Sequence, residues 1–227
     1  MISINALTTS YHSKPILNNL NLELPLGEIH GIVGLNGAGK TTLLNALYGL
    51  KENETGNILY LDTKLTRTHL AYLVTENYFY PNITGNEYLE LFRNPNFVTE
   101  KWNLLFGLPL NQLIDNYSTG MRKKLALLGI FKQDKPILML DEPFNGLDME
   151  TTRIIGSIIL KLKETGKTIL VTSHVLSTLT SICDQIHYLE GGIIKSSSGK
   201  AAFATFENEL HAYIEQKNEE AIKQLSI

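Results

Sequence analysis

The chain has 227 residues, 43% hydrophobic and 19% charged, with a formal net charge of −3. That balance suits one large globular domain with a sub-lobe, or two small ones, and excludes disordered and fibrous classes. The mild acidity offers no bulk attraction to nucleic acid, so no such partner is expected, and the single cysteine, Cys183, excludes a disulfide framework or a multi-cysteine metal site, as in a reducing, cytosolic setting.

The N-terminal MISINALTTSYHSKP lacks the charged-then-apolar layout of a signal peptide. No apolar run reaches the roughly 18–20 residues that span a bilayer, so a membrane role is expected only through a partner. The runs ISINALTTSY, NLNLELP and EIHGIVG, broken by HSKP and LPLGE, carry period-2 apolar spacing and predict a small antiparallel sheet. IHGIV then runs into GLNGAGKTTLLNALYGL, where Leu43, Leu44, Leu47 and Leu50 have helical spacing, so a helix starts inside the glycine-rich loop. NILYL and LAYLV predict strands. Polar helical segments from about Thr84 to Ile114, with the only tryptophan, Trp102, predict an inserted helical lobe over about 76–134. After STGMRKKLALLGIF the order is strand ILML, helix METTRIIGSIILKLKE, strand KTILVTS, helix HVLSTLTSI and then QIHYLEGGIIKS: an α/β alternation. At the end, Phe203, Phe206, Leu210, Tyr213, Ile214 and Ile222 recur at helical spacing on an amphipathic tail over about 200–227, expected to pack on its own core.

Two motifs carry chemistry. Gly34, Leu35, Asn36, Gly37, Ala38, Gly39, Lys40 and Thr41, with Thr42 following, fit G-x-x-x-x-G-K-[ST] between a strand and a helix. There the backbone amides and the helix N-terminus cradle phosphates, Lys40 reaches the β/γ oxygens, and the Thr41 hydroxyl can ligate Mg²⁺. The second is ILMLDEPFNGLD, whose apolar strand presents Asp141 at its carboxyl end as a metal holder. Its neighbour Glu142 is the candidate to orient or deprotonate an attacking water.

In their order along the chain, these landmarks resemble the nucleotide-binding subunit of an ATP-binding-cassette (ABC) transporter, a likeness covering almost the whole sequence. The resemblance implies an α/β P-loop NTPase fold of the ABC-ATPase kind: a mixed or parallel core sheet, an N-terminal antiparallel subdomain and an inserted helical subdomain, all in one domain over 1–227. It implies that Tyr11 stacks on adenine, although a tyrosine there also suits plain sheet packing. YSTGMRKKL is similar to the family signature Leu-Ser-Gly-Gly-Gln, with Ser118 and Gly120 in register and Thr119 in place of a glycine. FNGLD resembles the D-loop, with Asp148, and TSH places His174 at the switch histidine. In the family the signature contacts the γ-phosphate bound to the opposite subunit, so ATP and Mg²⁺ are sandwiched in a head-to-tail dimer, here expected to be a homodimer. Thr75 falls where the family carries a metal-contacting glutamine, so it becomes an uncertain third metal contact.

The resemblance further implies an ATPase that drives a separate transmembrane permease from the inner face of the cell membrane. The segments around Tyr80 to Glu87 and STGM are similar to those of exporters with separate membrane chains. Tyr78, Phe79 and Tyr80 either anchor that permease or pack inside the lobe. Two other readings stay open: a soluble, non-transport ABC ATPase, and a nucleotide-gated binding subunit with little hydrolysis, suggested by Thr75 and Thr119.

Overall fold

A computed structural model describes residues 1–11, 14–51 and 55–223, with the backbone alone for 218 and 220–223. Two sheets organise the chain. The first is antiparallel, in the order β2 (Lys14–Leu24), β1 (Ile2–Tyr11), β4 (Thr55–Tyr60) and β5 (Thr63–Lys64). The second has six strands, in the order β10 (Ile193–Gly199), β9 (Gln185–Glu190), β3 (Ile29–Val33), β8 (Thr168–Ser173), β7 (Ile137–Leu140) and β6 (Leu70–Leu73). Within it β9, β3, β8, β7 and β6 run parallel, and β10 closes one edge as an antiparallel hairpin.

The strand EIHGIVG departs from the antiparallel grouping expected of it, because β3 lies at the centre of the parallel sheet, between β8 and β9. All five of its residues are buried, His30 included. A strand covered on both faces must be apolar on both, and one buried histidine in such a run imitates the alternation of a half-exposed strand.

Period-2 alternation assigns the two faces. Ile137, Met139 and Leu170 join Leu43, Leu44 and Leu47 of α1 (Lys40–Tyr48) and the inner residues of the antiparallel sheet in one apolar cluster. Leu138, Leu140, Ile169 and Val171, one residue out of phase, join the other cluster with the remaining helices. Those helices are α2 (Gly85–Glu90), α3 (Thr99–Phe106), α4 (Thr119–Lys132), α5 (Met149–Glu164), α6 (Leu176–Thr180) and α7 (Phe203–Lys223). Local chemistry sets their starts: a Thr84–Glu87 capping box opens α2, and the Ser118 and Asp148 side chains accept amide hydrogen bonds at the N-termini of α4 and α5.

Trp102 stacks on Phe97 at 4.9 Å between ring centres, inside the helical segment. On α7, Phe203, Phe206 and Leu210 are buried in the main cluster and Ile214 packs against it, so the tail's apolar stripe covers its own core. The side chain of Ile222, expected on the same stripe, lies outside the described residues. Among the described residues no helix is long and apolar enough to cross a membrane.

Parallel register fixes where the motifs meet. Val33 pairs with Ser173, Leu140 with Val171, and Leu73 with Leu140, so the carboxyl ends of β3, β8, β7 and β6 share one edge. The loops that follow these strands carry residues 34–39, 141–142, 174 and 75, and all emerge at that edge.

Candidate active site

β3 ends at Val33, and the next residues wrap into a loop before α1 begins at Lys40. Gly39 caps the helix at φ 109°, a left-handed conformation that costs a side-chain-bearing residue dearly, and a Cβ on Gly34 would sit 2.4 Å from the Leu189 carbonyl oxygen. The glycine spacing is therefore a condition for closing the loop. Lys40 is 8% exposed. Its Nζ donates to the Gly34 carbonyl at 2.7 Å and lies 3.7 Å from Glu142 Oε1. A buried ammonium thus stands over the mouth of the loop with the helix N-terminus beside it, an arrangement made for phosphate.

Asp141, fully buried at the end of β7, accepts three hydroxyl hydrogen bonds. Thr41 Oγ1 and Thr75 Oγ1 both donate to Oδ2, at 2.8 and 2.6 Å, and Thr172 Oγ1 donates to Oδ1 at 2.6 Å. Glu142 follows at φ 48°, and its carboxylate lies between two cations or potential cations: Lys40 on Oε1 and His174, whose Nδ1 is 3.1 Å from Oε2. The Glu142 amide donates to Thr172 Oγ1 at 2.9 Å.

These groups edge a cleft of about 440 Å³ lined by residues 36–42 with Tyr11, Ile16, Thr75, Glu142, Asn145 and His174. Size does not mark the site. A cleft of about 660 Å³ between the end of α1 and β4–β5 is larger but is lined by Lys51, Lys64 and Arg67 without a carboxylate.

Electrostatics follow from burial. Lys123, on the inner face of α4 and 6% exposed, has its pKa lowered by burial, against which the negative charges of Asp141 and Glu142 pull upward. Burial raises the Tyr72 phenol pKa, and the Asp141 charge adds to the effect. Tyr72 itself donates to Asn45 Oδ1 at 3.1 Å, one helical turn beyond Thr41.

The structure brings together most of the residues read from the sequence. Asn36, Gly37, Ala38, Gly39, Lys40, Thr41, Thr42, Tyr11, Thr75, Glu142 and His174 line one cleft, with Asp141 as its buried floor. Gly34 and Leu35 stay outside it and act through their carbonyls, which accept from Lys40 and Ala38. Tyr11 is 43% exposed at the rim, with Lys51 Nζ 4.3 Å from its ring centre. Ser118, Thr119, Gly120 and Asp148 do not reach this cleft. Ser118 and Thr119 are exposed at the start of α4, and Asp148 caps α5 through Thr151 and sits 4.0 Å from Lys124. Tyr78 and Tyr80 are exposed, whereas Phe79 turns inward onto Tyr88 at 4.9 Å.

Sequence reasoning missed Thr172, Asn145 and Ile16. Thr172 sits in an apolar strand where threonine reads as an ordinary β-former, and its partner Asp141 lies far away in sequence.

The donor set fits ATP with Mg²⁺. Thr41, Thr75 and Asp141 offer converging oxygen atoms suited to a hard cation, and residues 34–42 form a phosphate cradle. Among the described residues there is no cluster of three or more His, Cys, Asp or Glu side chains to favour a softer metal.

Comparison with known proteins agrees with this chemistry. The family described as ABC transporter matches residues 17–145. A lantibiotic transport ATP-binding protein of Streptococcus pyogenes is 31% identical over 204 residues, covering 86% of this chain and 89% of that protein. A bacitracin transport ATP-binding protein of Enterococcus faecalis is 31% identical over 206 residues, covering 85% of this chain and 67% of that protein. Among solved structures, an ATP-binding subunit of an ABC transporter superposes with a TM-score of 0.77 at 26% identity, over 88% of this chain and 90% of the other. The dimeric cassette MJ0796, bound to ADP and Pi after hydrolysis, superposes with a TM-score of 0.78 at 22% identity, over 88% and 99%, a likeness of fold.

Proposed function

The chain belongs to the ABC transporter family as an ATP-binding subunit with ATPase activity, and from that premise we propose that two copies close head to tail around ATP to drive a separate membrane subunit. The observation that carries the proposal is a division of labour within one chain. The cleft gathers Lys40, Asp141, Glu142 and His174, while Ser118, an N-capping hydroxyl at the start of a 14-residue helix, stays exposed and outside it. Such a helix start is a ready anion contact, and a second copy supplies it with phosphate.

In this reading the loop amides and Lys40 bind the phosphates, and Tyr11 faces the base. Thr41, Asp141 and Thr75 hold Mg²⁺, which when bound offsets charge on the transferring phosphoryl group. Glu142 orients the attacking water and accepts its proton, and His174, in contact with Glu142 Oε2, steadies that carboxylate at the γ-phosphate end. Ser118, Thr119 and Gly120 of the partner copy close over the same phosphates, with Asp148 at the seam. ATP then holds the two copies together, and hydrolysis releases them.

The exposed Tyr78 and Tyr80 form the docking face for a permease in the membrane, which keeps the chain on its cytoplasmic side. We propose outward transport. The sequence around Tyr80 to Glu87, similar to that of exporters with separate membrane chains, supports this direction. The test is the oligomeric state of Glu142→Gln with ATP and Mg²⁺ by size-exclusion chromatography with light scattering. A dimer that Ser118→Arg abolishes supports the sandwich; a dimer indifferent to Ser118→Arg refutes it.

A further inference from the structure

We propose that Thr172 is a positioning residue that holds Glu142 in its working orientation by tying it to Asp141. The inference rests on the ATPase assignment above and concerns a residue that is buried, in the strand next to the one ending in the two carboxylates.

The geometry is compact. One hydroxyl, Thr172 Oγ1, donates to Asp141 Oδ1 at 2.6 Å and accepts the Glu142 amide at 2.9 Å. Its single proton is committed to Asp141, so toward Glu142 it serves as acceptor, and both roles are filled at once. Asp141 Oδ2 faces the other way, toward Thr41 and Thr75, the side proposed for the cation.

Glu142 has need of such a tie. Its φ of 48° is left-handed, a conformation that non-glycine residues adopt only when their surroundings hold them there. In that conformation its carboxylate spans Lys40 and His174. A backbone allowed to relax toward negative φ would swing the carboxylate away from both. The residue just past the same strand supplies the other half of the arrangement: His174 lies two residues beyond Thr172, beside the carboxylate whose amide Thr172 holds. The end of β8 therefore fixes Glu142 at both its backbone and its side chain.

Two readouts test this. Thr172→Val keeps the strand's shape and removes the hydroxyl. It is expected to lower kcat by about 10- to 100-fold, the cost of misplacing a reacting group by about an ångström, with most of kcat restored in Thr172→Ser. In a Glu142→Gln background the same substitution is expected to add almost nothing to the residual loss, because the carboxylate through which Thr172 acts is gone. The nucleotide-free protein gives the second readout, amide hydrogen exchange at Glu142 followed by NMR: protection is expected in the parent and in Thr172→Ser and lost in Thr172→Val. A Thr172→Val protein with parental kcat and parental protection overturns the proposal, as does a kcat loss equally large in the Glu142→Gln background. Thr172→Ala serves as the second truncation if the valine protein does not fold, and parental turnover in it overturns the proposal equally. A parent that binds ATP without turnover refutes the ATPase reading instead, and the exchange measurement alone then decides the tie.

Discussion

The core sheet contains a built-in sensitivity to acid. His187 on β9 is 1% exposed, and its ring lies 5.7 Å from that of His30 on the neighbouring strand β3. His187 Nδ1 meets Ser197 Oγ at 2.8 Å, and His30 Nε2 meets the Pro25 carbonyl at 2.8 Å, but His187 Nε2 and His30 Nδ1 are buried without a hydrogen-bond partner among the described residues. Burial first, and His30 second, bring the His187 pKa down from 6.5 to about 4. His30 is also lowered by burial, with the Pro25 carbonyl and the charges of Glu28 and Asp184 pulling it back up. Both rings are therefore neutral in the folded protein near neutral pH, and a proton binds more readily to the unfolded chain. The stabilisation is complete above pH 6.5 and is lost as pH falls from 6.5 toward 4. For His187 alone the gap is worth about 3 kcal/mol in full, and about 2 kcal/mol of it is gone by about pH 5. That is a large part of a stability of about 5–15 kcal/mol. The assay is urea unfolding at about pH 7.5 and about pH 5, on the parent and on His187→Asn, which keeps a polar atom toward Ser197 and does not titrate in this range. The parent is expected to lose about 2 kcal/mol more than the variant between the two conditions. Equal losses would falsify the argument, because carboxylates and His30 titrate in both proteins.

Two further predictions separate binding from folding. Lys40→Met removes the charged donor that stands over the loop, and because a hydrogen bond to a charged group contributes about 1.5–3 kcal/mol, ATP affinity is expected to drop by about 10- to 100-fold in a fluorescent-nucleotide titration. An unchanged affinity would mean that Lys40 stays bound to the Gly34 carbonyl and never meets phosphate. Phe206→Ala empties a site on α7 that is 6% exposed in the main core and away from the nucleotide cleft. It is expected to cost about 3–5 kcal/mol of stability in denaturant unfolding, with ATP affinity intact. A loss of affinity without a loss of stability would make the tail a regulator of the site.

What the sequence disclosed depended on how locally each feature is specified. The phosphate loop was legible because its glycines, lysine and threonine are contiguous and a strand and a helix flank them. Asp141 and Glu142 were legible because a short apolar run ending in acidic residues is what a buried parallel strand presents at its carboxyl end. The sheet that owns EIHGIVG was not legible, since β3 pairs with strands more than a hundred residues downstream and His30 disguises its two-sided burial. Thr172 was hidden for a related reason, because nothing in KTILVTS distinguishes a hydroxyl that points at Asp141 from one that merely suits a strand. The exposure of Tyr78 and Tyr80 beside an inward-facing Phe79 lay likewise beyond the pattern, because three consecutive aromatics in a turn-rich segment show no period that assigns a buried face.

Thr75 stands where the resemblance to the family leads one to expect a glutamine, and the geometry gives that departure a physical sense. A fully buried carboxylate is costly unless donors surround it. Asp141 has no ion-pair partner within salt-bridge distance among the described residues; instead Thr41, Thr75 and Thr172 each turn an O–H toward it. Three hydroxyls stabilise the charge without pairing it, and Lys123 acts on it only from beyond salt-bridge distance, so the floor of the cleft keeps an attraction for a cation that a lysine in direct contact would cancel. A glutamine amide at position 75 could reach farther, but the threonine hydroxyl lies on the same oxygen, Oδ2, that Thr41 touches. The short side chain thus trades reach for a fixed position, and the loop that carries Thr75 also leads directly to Tyr78 and Tyr80 on the surface. A change in the donors around Asp141 Oδ2 therefore has a path of only a few residues to the face proposed to meet the permease, which is where an energy-coupling subunit needs its nucleotide site to be felt.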